Sequence, residues 1–230
     1  SARAIWFKQQ YPDRFFSVGI AEQDMIGTAA GLALAGKIPF ACSFSQFVTG
    51  KTLEQLRMAV CYQRLNVKIA GSHGGLSVGA DGATAEALEE LGHMRTLPYM
   101  TVLVPCDALQ AKKAAIASAD YPGPVFLRLG RSPVPVLTKE TEPYRIGEAA
   151  VMRPGDDLTF VACGVMVAHA LQAAEQLAKE GIEARVINLH TIKPIDQATI
   201  LAAAKETGAL VTAEEHTVLG GLGGAVAEVI

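Results

Sequence analysis

Glu22 stands where an apolar run, residues 15–20, gives way to an almost wholly apolar helical stretch that reaches Ala35. An ionised carboxylate in such surroundings needs a hydrogen-bond donor or takes up a proton. It could also complement the dipole of the helix it opens, worth about 0.3–1 kcal/mol. Three further groups could do chemistry with it. Ser43-Phe44-Ser45-Gln46-Phe47 follows a β-type run and carries two aromatic rings three positions apart. That spacing is met more often in two core knobs on an early helical turn, but it also suits stacking on a flat heterocycle. The segment from Gly71 to Thr84, GSHGGLSVGADGAT, is a glycine-rich loop that holds His73 and Asp81, and functional side chains concentrate on loops of this kind. Asp81 and Thr84 would also serve as N-caps of a following helix; His73 has no equally good structural explanation. Arg128-Leu129-Gly130-Arg131 closes another β-type run, where guanidinium groups suit an anion, although strand-end arginines more often serve a surface or interface.

Each group is placed by an element before it. Apolar β-type runs at 15–18, 38–42, 67–70, 101–104 and 125–129 alternate with helical patterns at 2–10, 21–35, 52–63, 84–96 and 107–118, the last capped by Asp107. Strands apolar on both faces and alternating with helices predict a parallel sheet covered on both sides, with ligands gathered beyond the strand ends. Residues 132–147 break into Ser-Pro-Val-Pro and a charged, proline-containing stretch that reads as a linker. The alternation then resumes, with strands at 158–162, 183–188 and 209–213 and helices at 166–180 and 195–207. A final helix follows Gly220-Gly221-Leu222-Gly223-Gly224. That glycine run is not a G-x-G-x-x-G fingerprint, and close packing explains it better than a ligand. The expected fold is α/β, with two doubly wound, mainly parallel domains at 1–131 and 148–230. Both domains are expected to be incomplete, because the chain starts without Met near a helix and stops inside a helical pattern.

Composition narrows the function classes. Half the residues are hydrophobic, 19% are charged and mean hydropathy is +0.26, enough for a large core and some apolar surface facing a partner. The net charge of −3, with scattered Lys and Arg, argues against nucleic acid and anionic membrane as partners. No apolar run approaches the roughly 18 residues of a spanning helix, and no signal peptide opens the chain. Cys42, Cys61, Cys106 and Cys163 are widely spaced; they read as buried thiols in a reducing compartment, hence a cytoplasmic location.

Taken together, these groups resemble the transketolase family of thiamine-diphosphate enzymes, specifically its pyrimidine-binding domain followed by its C-terminal domain, over nearly the whole chain. Val18-Gly19-Ile20-Ala21-Glu22-Gln23 resembles the family's cofactor-glutamate motif, Gly79-Ala80-Asp81-Gly82-Ala83-Thr84 its G-x-D-G-x-T loop, and Thr191-Ile192-Lys193-Pro194-Ile195-Asp196 a recurrent C-terminal segment. The resemblance implies that Glu22, as a carboxyl of raised pKa, hydrogen-bonds a ring nitrogen of the cofactor's aminopyrimidine, whose exocyclic nitrogen then deprotonates the thiazolium. It implies that Phe44 and Phe47 form the wall beside that ring. His73 would act near the transferred two-carbon unit, Asp81 would contact a sugar hydroxyl, and Arg131 would bind a distal phosphate.

The implied activity is transfer of a ketol unit between sugars or sugar phosphates. Deoxyxylulose-phosphate synthases share the glutamate motif, but they resemble it with an arginine at the position of Phe47 and no histidine at that of His73. Two departures from the transketolase pattern are Ala85, where a substrate-contacting histidine is usual, and Gly50, where a third aromatic stands. Ala85 bears on donor specificity, and both motivate the alternative of a non-catalytic assembly subunit. Nothing in the chain matches the family's G-D-G metal motif, so the diphosphate and its Mg²⁺ are expected on a companion N-terminal section. A homodimer through this half is also expected.

Overall fold

The computed structural model describes residues 4–230. The opening helix, α1, runs Ile5–Gln10; the start expected for it at residue 2 lies outside the described residues. A short 3-10 turn, Pro12–Arg14, leads into a stretch without helix or strand and then α2, Glu22–Leu34. The strand expected at 15–18 is not formed: these residues join no sheet. An apolar run reports a wish for burial, not the presence of a ladder neighbour, and here Phe16 and Ile20 remain exposed, Ile20 to 92%.

The first sheet is built from β1 (Phe40–Phe44), β2 (Lys68–Ser72), β3 (Thr101–Leu103) and β4 (Val125–Arg128). They pair in parallel in the order β1-β2-β4-β3. Ile69, Val102 and Phe126 are fully buried in it, as expected of strands covered on both faces. Between them lie α3 (Ser45–Gly50), α4 (Leu53–Gln55) running into a π-helical turn at Leu56–Cys61, α5 (Glu90–Thr96) and α6 (Ala108–Asp120). Asp107 caps α6, its Oδ1 accepting from the Gln110 N–H at 2.7 Å. The helix expected from 84 begins only at Glu90, because Gly74 bridges Ala87 and holds residues 84–89 irregular.

The second sheet consists of β5 (Ala150–Arg153), β6 (Leu158–Ala162), β7 (Ala184–Asn188) and, after one strand that leaves it, β9 (Leu210–Ala213). Its order is β5-β7-β6-β9, and its helices are α7 (Met166–Ala178), α8 (Gln197–Thr207) and α9 (Leu222–Ala227). β6, β7 and β9 are parallel, and β5 is an antiparallel edge. The departing strand, β8 (Thr191–Lys193), pairs antiparallel with β3 of the first sheet. A single buried cluster accordingly runs from Ile26 on α2 through Val102, Val161 and Ile192 to Leu222 and Val226.

Residues 129–149 contain neither helix nor strand. They are held by Asp107 Oδ2, which accepts from the Leu137 and Thr138 N–H groups at 2.7 Å each. Of the four cysteines, three are buried, but Cys42 is exposed, a correction that follows from β1 being the sheet's edge strand. No helix among the described residues is long and apolar enough to cross a membrane.

Candidate active site

Glu22 opens α2 with its side chain buried, 8% exposed. Two donors reach it: the Ser43 hydroxyl at 3.2 Å to Oε1 and the Lys51 ammonium at 3.3 Å to Oε2. Burial by itself pushes the carboxyl up. Glu22's own backbone N–H, the Lys51 charge and the Ser43 hydroxyl outweigh that and leave it below the ordinary carboxylate value. The raised carboxyl implied by the family resemblance is therefore not what this chain shows alone, because the backbone N–H, Lys51 and Ser43 together favour the charged form.

Phe44 ends β1 and Phe47 lies in the first turn of α3. Their rings are 5.8 Å apart and 14° from parallel, so they form a wall. The Lys51 ammonium rests 4.6 Å from the Phe47 ring centroid, a cation–π contact. On the other side the His73 ring stacks on Phe44 at 3.9 Å and 19°. Gly71 permits β2 to approach α3 here: a Cβ on it would lie 2.7 Å from Ser45 Oγ and 2.8 Å from the Phe126 ring.

His73 leaves β2 in the left-handed region, φ 62°, a conformation uncommon for a residue with a side chain. Its Nδ1 lies 2.9 Å from Ser72 Oγ. Burial lowers its pKa, which Asp81 partly counters and Arg131 reinforces, so the ring is neutral around pH 7. Asp81 Oδ2 lies 4.0 Å from His73 Nε2 and 3.6 Å from Arg131 Nε. Asp81 closes a 3-10 turn, Leu76–Asp81, and does not cap the next helix. Arg131 also donates to the Val78 carbonyl.

The residues given roles in the sequence thus fall, with Lys51, into one row of contacts: Glu22, Lys51, Phe47, Phe44, His73, Asp81, Arg131. Arg128 is excluded from it. Only 5% exposed, it pairs through Nε with Glu90 at 2.5 Å beneath the loop and is closed to any ligand. Gly50 is exposed, and a Cβ on it would meet Gln46 Nε2 at 3.7 Å, an ordinary contact, whereas Ala85 is buried. Sequence reasoning passed over Lys51 and Ser43; the one available signal was a lysine next to a glycine at the end of the aromatic motif. No group of three or more potential metal ligands occurs among the described residues.

Family models match both halves of the chain: "Transketolase, pyrimidine binding domain" over residues 1–136 and "Transketolase, C-terminal domain" over residues 147–230. The chain is 46% identical over 222 residues to the 6-deoxy-6-sulfo-D-fructose transketolase subunit SqwH of Clostridium sp. (strain MSTE9), covering 96% of this chain and 69% of that protein. It is 43% identical over 225 residues to an apulose-4-phosphate transketolase subunit of Phocaeicola vulgatus, covering 97% and 72%. Among solved structures, a split gene transketolase described as an inactive β4 tetramer superposes with a TM-score of 0.92 at 47% identity, over 99% of this chain and 74% of that one. The chain belongs to the transketolase family and is a C-terminal section of such a transferase, a pyrimidine-binding domain followed by the family's C-terminal domain.

Proposed function

We propose that this transketolase-family chain builds the pyrimidine side of an active site that moves a two-carbon ketol unit between sugars. Thiamine diphosphate would be the cofactor, with a companion N-terminal chain holding the diphosphate and Mg²⁺. The single row from Glu22 to Arg131 carries this reading, because it sets a buried carboxylate, an aromatic wall, a neutral imidazole and a cation in sequence. The residues present fit the aminopyrimidine. Phe44 and Phe47 offer a flat wall, and the buried carboxylate of Glu22 stands at its end, held by Ser43 and Lys51. Lys51 is 51% exposed, so water can solvate its ammonium once it leaves Glu22.

When bound, the cofactor supplies the electron sink for breaking a carbon–carbon bond beside a ketone carbonyl. The chain's own residues do the rest. Glu22 holds the proton it shares with a pyrimidine ring nitrogen, which requires Lys51 to release Oε2. Phe44 and Phe47 orient the ring and exclude water from it. His73, neutral near pH 7, exchanges a proton with an oxygen of the two-carbon unit. Asp81 orients a sugar hydroxyl, and Arg131, 41% exposed, binds an anion at the sugar's far end.

Two relatives are named for ketoses that end in a sulfonate or a phosphate, which supports a ketose with a terminal anion as the substrate class here. That the relatives are called subunits, and that the solved β4 tetramer is called inactive, supports the need for a companion chain. The apolar side chains left exposed at Trp6, Phe16, Ile20, Leu34 and Phe40 suit contact with that companion and with a second copy of this chain. The test is turnover by the reconstituted pair. Glu22→Gln is expected to cut kcat by at least about 10²-fold; near-normal turnover would overturn the assignment. Thiamine-diphosphate titration that shows no binding, with or without the companion, would instead indicate an assembly role.

A further inference from the structure

The second sheet carries none of the row, yet one side chain beyond its β9 strand reaches the loop that does. Glu215 accepts from the Ser77 N–H at 2.9 Å through Oε1 and from the Ser77 hydroxyl at 3.1 Å through Oε2. Ser77 lies in the Leu76–Asp81 turn, which ends on Asp81. We propose that Glu215 is a positioning residue for sugar binding: it clamps that turn onto the second unit and so fixes where Asp81 stands between His73 and Arg131. The sugar-binding half of this inference rests on the functional reading above; the clamp does not.

From the first unit the turn is tied by Arg131 to the Val78 carbonyl and by the Ser132 hydroxyl to the Ser77 carbonyl at 3.0 Å, against a high cost of ordering. Gly75, Gly79 and Gly82 all lie in the left-handed region, and glycines give up more conformational freedom than other residues when they are ordered. The carboxylate also packs flat on the chain, since a Cβ on Gly75 would come within 2.5 Å of Glu215 Oε2. A bidentate contact from an ionised carboxylate to one N–H and one hydroxyl is stronger than a neutral pair.

Glu215 is itself rigidly held. The buried Arg128 donates Nη2 to the Glu215 carbonyl at 2.7 Å while its Nε is tied to Glu90. Next to it, Thr217 N–H donates to the Leu88 carbonyl at 2.9 Å. This gives Arg128 and Glu90 a purpose: they seat the backbone from which the clamp projects. The neighbouring Glu214 faces the other way, its carboxylate accepting from the Leu222 and Gly223 N–H groups at 2.7 and 2.9 Å.

The test compares two ketol donors in the reconstituted pair: fructose 6-phosphate, which has further hydroxyls and a far-end phosphate, and hydroxypyruvate, which has neither. Glu215→Gln is expected to raise KM for fructose 6-phosphate about tenfold, the loss of one charge-assisted contact. Thiamine-diphosphate affinity, and both kcat and KM with hydroxypyruvate, should stay within about twofold by the same reasoning. Amide hydrogen exchange over residues 76–82 should accelerate at least about tenfold in the variant. Ser77→Ala, which keeps the amide contact, should show the same split at smaller size. Unchanged exchange, or equal KM changes for both donors, overturns the proposal. A wild-type pair that turns over neither donor overturns the functional reading instead, and the exchange result then still decides whether the clamp exists.

Discussion

The two halves of the chain share an architecture and differ in what lies beyond the strand ends. In the first sheet β1 delivers Phe44, β2 delivers His73 and the segment after β4 delivers Arg131, all on an accessible row. In the second, the equivalent positions are turned inward. β7 ends on Asn188, whose amide donates to Gln110 Oε1 at 3.1 Å on the first unit. His190 follows, stacked 4.4 Å from the Tyr144 ring and buried, so that its pKa falls to about 4. β9 is followed by Glu214 and Glu215, one capping α9 and the other gripping the loop. The same parallel sheet therefore carries the proposed reaction site in one case and makes a grip in the other. Which it becomes depends on whether the polar groups past the strands find protein partners, not on the topology.

The arginine pair from one strand end gives the sharpest contrast. Glu90→Ala would leave the buried Arg128 without its counter-charge and is expected to cost roughly 3–5 kcal/mol in urea unfolding; a change under about 1 kcal/mol would mean that Arg128 is not the structural member of the pair. Arg131→Met should do the opposite. Its effect on unfolding is expected to stay within about 0.5 kcal/mol, as for most exposed positions, while KM for a ketose with a terminal anion rises at least about tenfold. If both variants behave alike, the division into grip and site fails.

Lys51→Met probes the weakest link in the row. Glu22 sits below its ordinary 4.5 in the folded chain partly because of Lys51. A carboxyl with a depressed folded pKa contributes stability above the unfolded value and loses it as pH falls through the folded one. The variant should thus show a smaller loss of stability between neutral pH and the acid side of 4.5 than the parent does, by no more than about 1 kcal/mol for a half-exposed pair. Its Glu22 resonance should titrate at higher pH in a carbon NMR titration. No movement of that resonance would remove Lys51 from the site.

Much of this was open to sequence reasoning. The alternation of runs anticipates the parallel strands of both sheets to within a few residues, and Asp107 after Pro105 marks the start of α6. The glycine loop and its His73 stand out in the sequence, and the fold stacks that ring on Phe44. What stayed hidden depends on neighbours distant in the chain. The run at 15–18 has the composition of a strand but no ladder to join. β5 and β8 are short antiparallel edges whose pairing no local period encodes. Lys51 is an ordinary surface lysine until the fold brings Glu22 within its reach, and Arg128 looks like an anion ligand until Glu90 is found beneath the loop.

The crossing of β8 into the first sheet has a consequence for anyone treating the two halves as interchangeable modules. Val102 pairs with Lys193 and Leu103 with Thr191, so the strand that completes one half is encoded inside the other. A chimera spliced within the irregular stretch 129–149 would graft a foreign edge onto β3, together with a foreign Glu215 onto the Leu76–Asp81 turn. Compatible hybrids must match along that seam, and drift in the second half is constrained by the edge it lends to the first.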